Sequence, residues 1–155
     1  MRLSTRTAVV ALLGALCVTT VRAAERLAEK KTAEVQVWAI RATTRNAEIS
    51  PELRPIAEKL KAQFKYTGFK LEKREKGTTE TGKALSVTLV GGYSATVTPK
   101  SVDEQRVQLQ IQVRKSGEDK PRLDATLTIN AGEFQLSGGW DLGEGDALIV
   151  AVAAR

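Results

Sequence analysis

Val107-Gln108-Leu109-Gln110-Ile111-Gln112-Val113, followed across residues 116–121 by Leu123-Asp124-Ala125-Thr126-Leu127-Thr128-Ile129, alternates apolar and polar side chains without a break. Successive side chains on a strand point to opposite faces, so a period of two gives each run one face to bury and one to leave in water. The pair reads as an antiparallel hairpin joined by a polar, proline-containing loop.

The same period extends in both directions. Leu85, Val87 and Leu89 alternate with Ser86 and Thr88, and Tyr93, Ala95 and Val97 alternate with Ser94 and Thr96. A tight connection at Asn130-Ala131-Gly132 leads into Phe134 and Leu136. Residues 147–153 are almost wholly apolar, and Val35-Gln36-Val37-Trp38-Ala39-Ile40 becomes apolar on both faces. Such runs suit strands covered on two sides. Helical spacing is confined to one place: Leu53, Ile56, Ala57, Leu60 and Phe64 form a single stripe. Ser50 is placed to cap that helix, Pro51 suits its first position, Pro55 delays its regular part to about Arg54, and Gly68 offers a left-handed stop. The expected fold class is α+β, one amphipathic helix packed on a mainly antiparallel, twisted sheet of about six or seven strands.

The amino terminus reads as an address. Arg2 and Arg6 precede an apolar run from residue 8 to residue 18, and Val21-Arg22-Ala23 has the small-x-small form of a cleavage site. Residues 1–23 are therefore expected to be a signal peptide and residues 24–33 a flexible spacer, with one domain over 34–155. The apolar run is short for a membrane span, which needs about 20 residues. Leu16 before Cys17 does not suit lipidation. Cleavage would remove the only cysteine, so no disulfide is expected, and would take the net charge from +6 to +3 because three arginines and no acid leave with the leader. The expected location is the periplasm or the outside of the cell, with no transmembrane span after cleavage.

That charge does not favour a nucleic-acid partner. A chain without histidine, and without cysteine once trimmed, offers no ordinary ligands for zinc, copper, haem or iron–sulfur clusters, so no cofactor or metal is expected. Asp141, Glu144 and Asp146 surround Gly143 and Gly145, but their spacing is not that of a calcium loop and reads as a surface turn. No S-x-x-K or G-x-S-x-G occurs, and the strand acids mark no pair, so no catalytic residue is assigned.

Two features bear on binding. Thr88-Leu89-Val90-Gly91-Gly92-Tyr93 and Gln135-Leu136-Ser137-Gly138-Gly139-Trp140 share a glycine pair followed by an aromatic residue. Structural packing of the rings against main chain is the first reading, and Tyr93 and Trp140 as exposed stacking platforms for sugar or peptide is the sharper one. Between residues 54 and 76 eight basic side chains outnumber three acids. Lys59, Lys61, Lys65, Lys70 and Lys73 are the candidate face for an anionic partner, the alternative being a solvated rim.

Residues 123–139, running through Asn130-Ala131-Gly132-Glu133 to Gly138-Gly139, resemble a pattern in the β-domain of secretins, where a strand leads through an Asp/Asn-x-Gly-Glu/Gln turn into a strand closing on Gly-Gly. Val97-Thr98-Pro99-Lys100 and the alternating residues 106–114 are similar to the region upstream in that family. The chain is also similar to short exported proteins of Gram-negative-type bacteria. The resemblance implies a small envelope module with related strand pairing; a membrane hairpin and a proline-rich gate are not recognisable. The expected function is an exported, non-catalytic β-rich module of the cell envelope acting on another envelope protein. A binding domain for sugar or anionic polymers and a small carboxylate-dependent hydrolase are the alternatives.

Overall fold

A computed structural model describes residues 31–155; the expected signal peptide and most of the expected spacer lie outside the described residues. The described residues form eight strands in two four-stranded antiparallel sheets. The first sheet has the order β2-β1-β8-β7, with β1 at Thr32–Thr43, β2 at Gly68–Glu80, β7 at Gln135–Gly143 and β8 at Asp146–Ala154. The second has the order β3-β4-β5-β6, with β3 at Leu85–Thr88, β4 at Tyr93–Val102, β5 at Arg106–Lys115 and β6 at Leu123–Asn130. Thr32 and Ala33, read above as the end of the spacer, are the first residues of β1.

The single sheet expected from the sequence is thus two sheets with a core between them. Val35, Val37 and Ala39 of β1 and Leu148, Val150 and Val152 of β8 pack against Ala95, Val97, Leu109, Ile111 and Val113 of the second sheet. On the other face of the first sheet, Trp38, Ile40, Ala42, Ile149 and Ala151 pack against Leu53, Ile56 and Leu60 of the helical segment. Strand β8 and the part of β1 from Val37 to Ile40 are therefore covered on both sides and carry no polar alternation, whereas Glu34 and Gln36 still alternate with Ala33, Val35 and Val37 at the start of β1. No helix among the described residues covers the second sheet, and Gln108, Gln110, Gln112 and the threonines of β6 face outward. The expected hairpin is present, with Val107 opposite Ile129 and Val113 opposite Leu123.

The helix is shorter than its stripe. A 3-10 segment at Pro51–Ile56 precedes an α-helix, α1, at Ala57–Gln63. Two prolines in the first turns lack amide donors, so the α-helical ladder starts only after Pro55. Ser50 does not cap; its hydroxyl accepts the Leu71 amide at 3.0 Å and ties the segment to β2. Phe64 is already extended, and Gly68 opens β2 instead of ending a helix. Leu53, Ile56 and Leu60 are nonetheless buried together as the stripe requires.

Candidate functional site

The two glycine–aromatic motifs meet in space. Leu136 sits opposite Ala151 and Gly138 opposite Ile149, all on the side of the first sheet that faces the helix. A bulge between Gly138 and Trp140 then shifts the register by one, and Trp140 falls opposite Leu148 in the core between the sheets. One extra residue exchanges the faces of everything that follows it. The bulge delivers Trp140 onto Tyr93, with ring centroids 6.3 Å apart and planes 29° from parallel. Tyr93 is 2% exposed, and its hydroxyl donates to the Asp141 carbonyl oxygen at 3.0 Å. A ring so enclosed has no face to offer, so Tyr93 is not an exposed platform, and Trp140 is half-buried against it. The packing reading is the one the geometry supports.

The five lysines do not form one face. Lys59 and Lys61 are on α1, Lys59 paired with Glu133 at 2.7 Å and Lys61 with Glu58 at 4.0 Å, while Lys65 is exposed just beyond the helix. Phe69 and Leu71 point to the helix side of the first sheet, so Lys70 between them points to the opposite side. Lys73 lies opposite Ala39, whose side chain belongs to the core between the sheets, and pairs with Glu75 at 3.4 Å. Lys59 and Lys61 are thus divided from Lys70 and Lys73 by the sheet, and four of the five have carboxylate partners.

A cleft of about 600 Å³ lies where β1, β2 and β8 meet the segment before the 3-10 turn, lined by Arg41, Thr43, Arg45, Phe69, Lys70 and Asp146 among others. Asp146, read from sequence as part of a surface turn, is 3% exposed. Its Oδ2 accepts from Arg41 at 3.1 Å and from Arg45 at 2.5 Å, while Arg41 also donates to Glu72 at 2.7 Å. Asp141 turns away, its Oδ1 accepting the Gly143 amide at 3.0 Å, while Glu144 shares the Arg45 guanidinium with Asp146 at 3.6 Å. The Thr43 side chain first, and then the guanidiniums of Arg41 and Arg45, hold the Asp146 carboxyl below the usual aspartate range. Glu72 and Asp146 raise Arg41 in turn. Both arginines converge on Asp146 Oδ2, while its buried Oδ1 has no hydrogen-bond partner among the described residues. The sequence signal for this cluster was an arginine inside an otherwise apolar strand, which needed an acid partner more than a hundred residues away.

A carboxyl held down in the fold contributes stability above the ordinary aspartate and glutamate range of about pH 4, and the contribution disappears as pH falls through the lower folded value. Asp146, Glu34, Asp124 and Glu133 are all shifted down, Asp124 first by its hydrogen bonds to Gln110 and Gln112 and Glu133 by Lys59. With no histidine in the chain, the melting temperature by circular dichroism should be nearly flat between about pH 5.5 and 8 and fall below about pH 4. Asp146→Asn should lower the melting temperature at neutral pH and make the acid limb shallower.

Four strands end the two sheets, and three of them carry devices that discourage pairing. Edge strand β2 is studded with Lys70, Lys73, Arg74 and Lys76; β3 is only 4 residues long; β7 is broken by register shifts on both sides of Trp140. The fourth, β6, has 8 residues, an unbroken register with β5, no proline and no lysine. Its inward side chains are also incompletely covered. Leu123, Ala125 and Leu127 are half-buried, whereas the matching residues of β4 and β5 are buried. On the opposite flank the sheets close on each other, Leu85 resting on Gly77 of β2 so closely that a Cβ there would lie 3.0 Å from it. Periodicity identified β6 as a strand but held no sign that it is an edge.

No helix among the described residues is long and apolar enough to cross a membrane. Neither the protein-family models nor the curated protein sequences give a match to this chain. Among solved structures it is similar to the type II secretion system secretin XcpQ from Pseudomonas aeruginosa, at a TM-score of 0.34 and 10% sequence identity over 80% of this chain and 55% of that one.

Proposed function

We propose that this chain is an exported, non-catalytic β-rich module of the bacterial envelope that works by holding another protein chain, and that it holds it along the free edge of β6. The observation that carries the reading is the unprotected edge itself, a regular strand of 8 residues with half-buried leucines beneath it. A strand added there gains main-chain hydrogen bonds and covers apolar surface in one step. The leader-like residues 1–23 support export. The non-catalytic part is supported by the absence of histidine and of S-x-x-K and G-x-S-x-G motifs from the sequence, and by the most buried described acid, Asp146, being ion-paired with Arg41 and Arg45.

The reading is tested with a photo-crosslinking residue placed at Thr126 on β6 or, as a control, at Lys76 on β2. Irradiation of cells should give a discrete crosslinked product in the envelope fraction from position 126 and none from position 76. Equal products from the two positions, or none from 126, would overturn it.

A further inference from the structure

The geometry points to a second copy of this chain as the occupant of the β6 edge, bound antiparallel across a two-fold axis at Thr126. This rests on the reading of β6 as a docking edge and names the strand that fills it.

The argument begins with which main-chain groups are free. Ala131 donates its amide to the Gln105 carbonyl at 2.8 Å, on the same register that pairs Ile129 with Val107 and Leu127 with Leu109. In an antiparallel ladder, hydrogen-bonded and non-hydrogen-bonded pairs alternate, so the odd-numbered residues of β6 turn their amide and carbonyl toward β5. The even-numbered ones turn theirs outward. Asp124, Thr126 and Thr128 therefore present a donor and an acceptor each along the free edge, whereas the carbonyl of Asn130, the fourth, already accepts the Glu133 amide.

An antiparallel partner must meet these outward groups with outward groups of its own, and β6 does so against itself. With Thr126 opposite Thr126 of the second copy, Asp124 falls opposite the copy's Thr128 and Thr128 opposite its Asp124. Each of these three residues, with both main-chain groups free, then meets another of them. Moving the axis to Ala125 sets Thr128 against Arg122, beyond the strand, and moving it to Leu127 sets Asp124 against Asn130, whose carbonyl already accepts the Glu133 amide at 3.0 Å. The side chains agree with this register. On the inner face Leu123 meets the copy's Ile129, and Ala125 meets its Leu127, so the half-covered leucines of both copies lie beneath one continuous eight-stranded sheet. On the outer face, Asp124 already accepts from Gln110 at 3.2 Å and Gln112 at 2.9 Å, and it is set against a threonine rather than another acid. Like charges directly opposite would weaken such a pair, and this register has none. The two-fold closes the assembly on itself, because pairing uses the one unprotected edge among the described residues of each copy.

A single strand edge lies at the small end of specific interfaces, so the expected affinity is on the order of micromolar. Sedimentation velocity of the purified protein over a rising concentration series should show monomer giving way to dimer. Backbone hydrogen exchange at Asp124, Thr126 and Thr128 should slow over the same range. Thr128→Asp places two pairs of carboxylates opposite each other and should weaken association about tenfold or more. Adding Asp124→Lys to Thr128→Asp converts both pairs to salt bridges and should restore dimerisation. That rescue occurs only in this register. Both positions are exposed, so the monomer's melting temperature serves as the check that each variant folds. A protein that stays monomeric at every concentration, or a dimer that Thr128→Asp leaves intact, would overturn the inference. If the protein is monomeric but position 126 crosslinks to a different polypeptide, the second copy is wrong and the docking edge stands; loss of both removes the edge as well.

Discussion

Replacing Tyr93 by alanine is expected to remove about 3–5 kcal/mol of stability, the range for deleting a large buried aromatic side chain. The ring lies between the sheets beside Ala95, Val113 and Trp140, and its hydroxyl reaches the Asp141 carbonyl. Truncation therefore opens a cavity in the core and releases the bulged strand at once. Tyr93→Phe keeps the ring and loses one hydrogen bond, so its expected cost is about 1 kcal/mol. Urea unfolding followed by tryptophan fluorescence reports both, since Trp140 stacks on the altered ring. A Tyr93→Ala variant as stable as the parent would mean that the side chain lies outside the core, and the platform reading would return.

The second large effect is at Gly138. Its φ is +144°, and a Cβ added there would lie 2.6 Å from the Ile149 Cα, with the Leu148 carbonyl closer still. Both are main-chain atoms of the central strand β8 and cannot rotate away. Gly138→Ala should cost about 4 kcal/mol or more, because backbone strain is added to a steric clash. Gly139, one residue on, also has positive φ but faces open space. Gly139→Ala should carry the conformational penalty alone, about 1–2 kcal/mol. Midpoints of chemical unfolding for the two variants separate the terms, and equal midpoints would show that the approach of β7 to β8 is looser than described.

The strands that alternate cleanly, β4, β5 and β6, were legible because each has one dry and one wet face. The two-faced burial of β8 and of Val37 to Ile40 in β1 was legible for the opposite reason, an absence of alternation. Strand β2 was not. Lys70, Glu72, Lys73, Arg74, Glu75 and Lys76 make it look like a charged helix face or a solvated loop, because an edge strand needs only Phe69 and Leu71 to fix its side. The division into two sheets was hidden for a related reason. A period of two says that a strand has an apolar face but not which neighbouring layer that face meets. Tyr93 and Trp140 were found through their glycine pairs; that a bulge there turns Trp140 inward depends on counting register against β8. The Arg41–Asp146 contact joins residues 105 apart, a separation over which local pattern carries no information.

Strand β1 has its antiparallel neighbour β8 more than a hundred residues further along, with Val35 opposite Ala154 and Ala42 opposite Ala147. The centre of the molecule cannot be assembled until residues 146–154 have emerged, because both dry faces of β1 need β8 beside it. Such long-range closure makes acquisition of the native state slow, on the order of milliseconds to seconds. Under the export proposed for this chain, that delay would keep the polypeptide unfolded while its earlier strands cross a translocon, with closure waiting on the last strand.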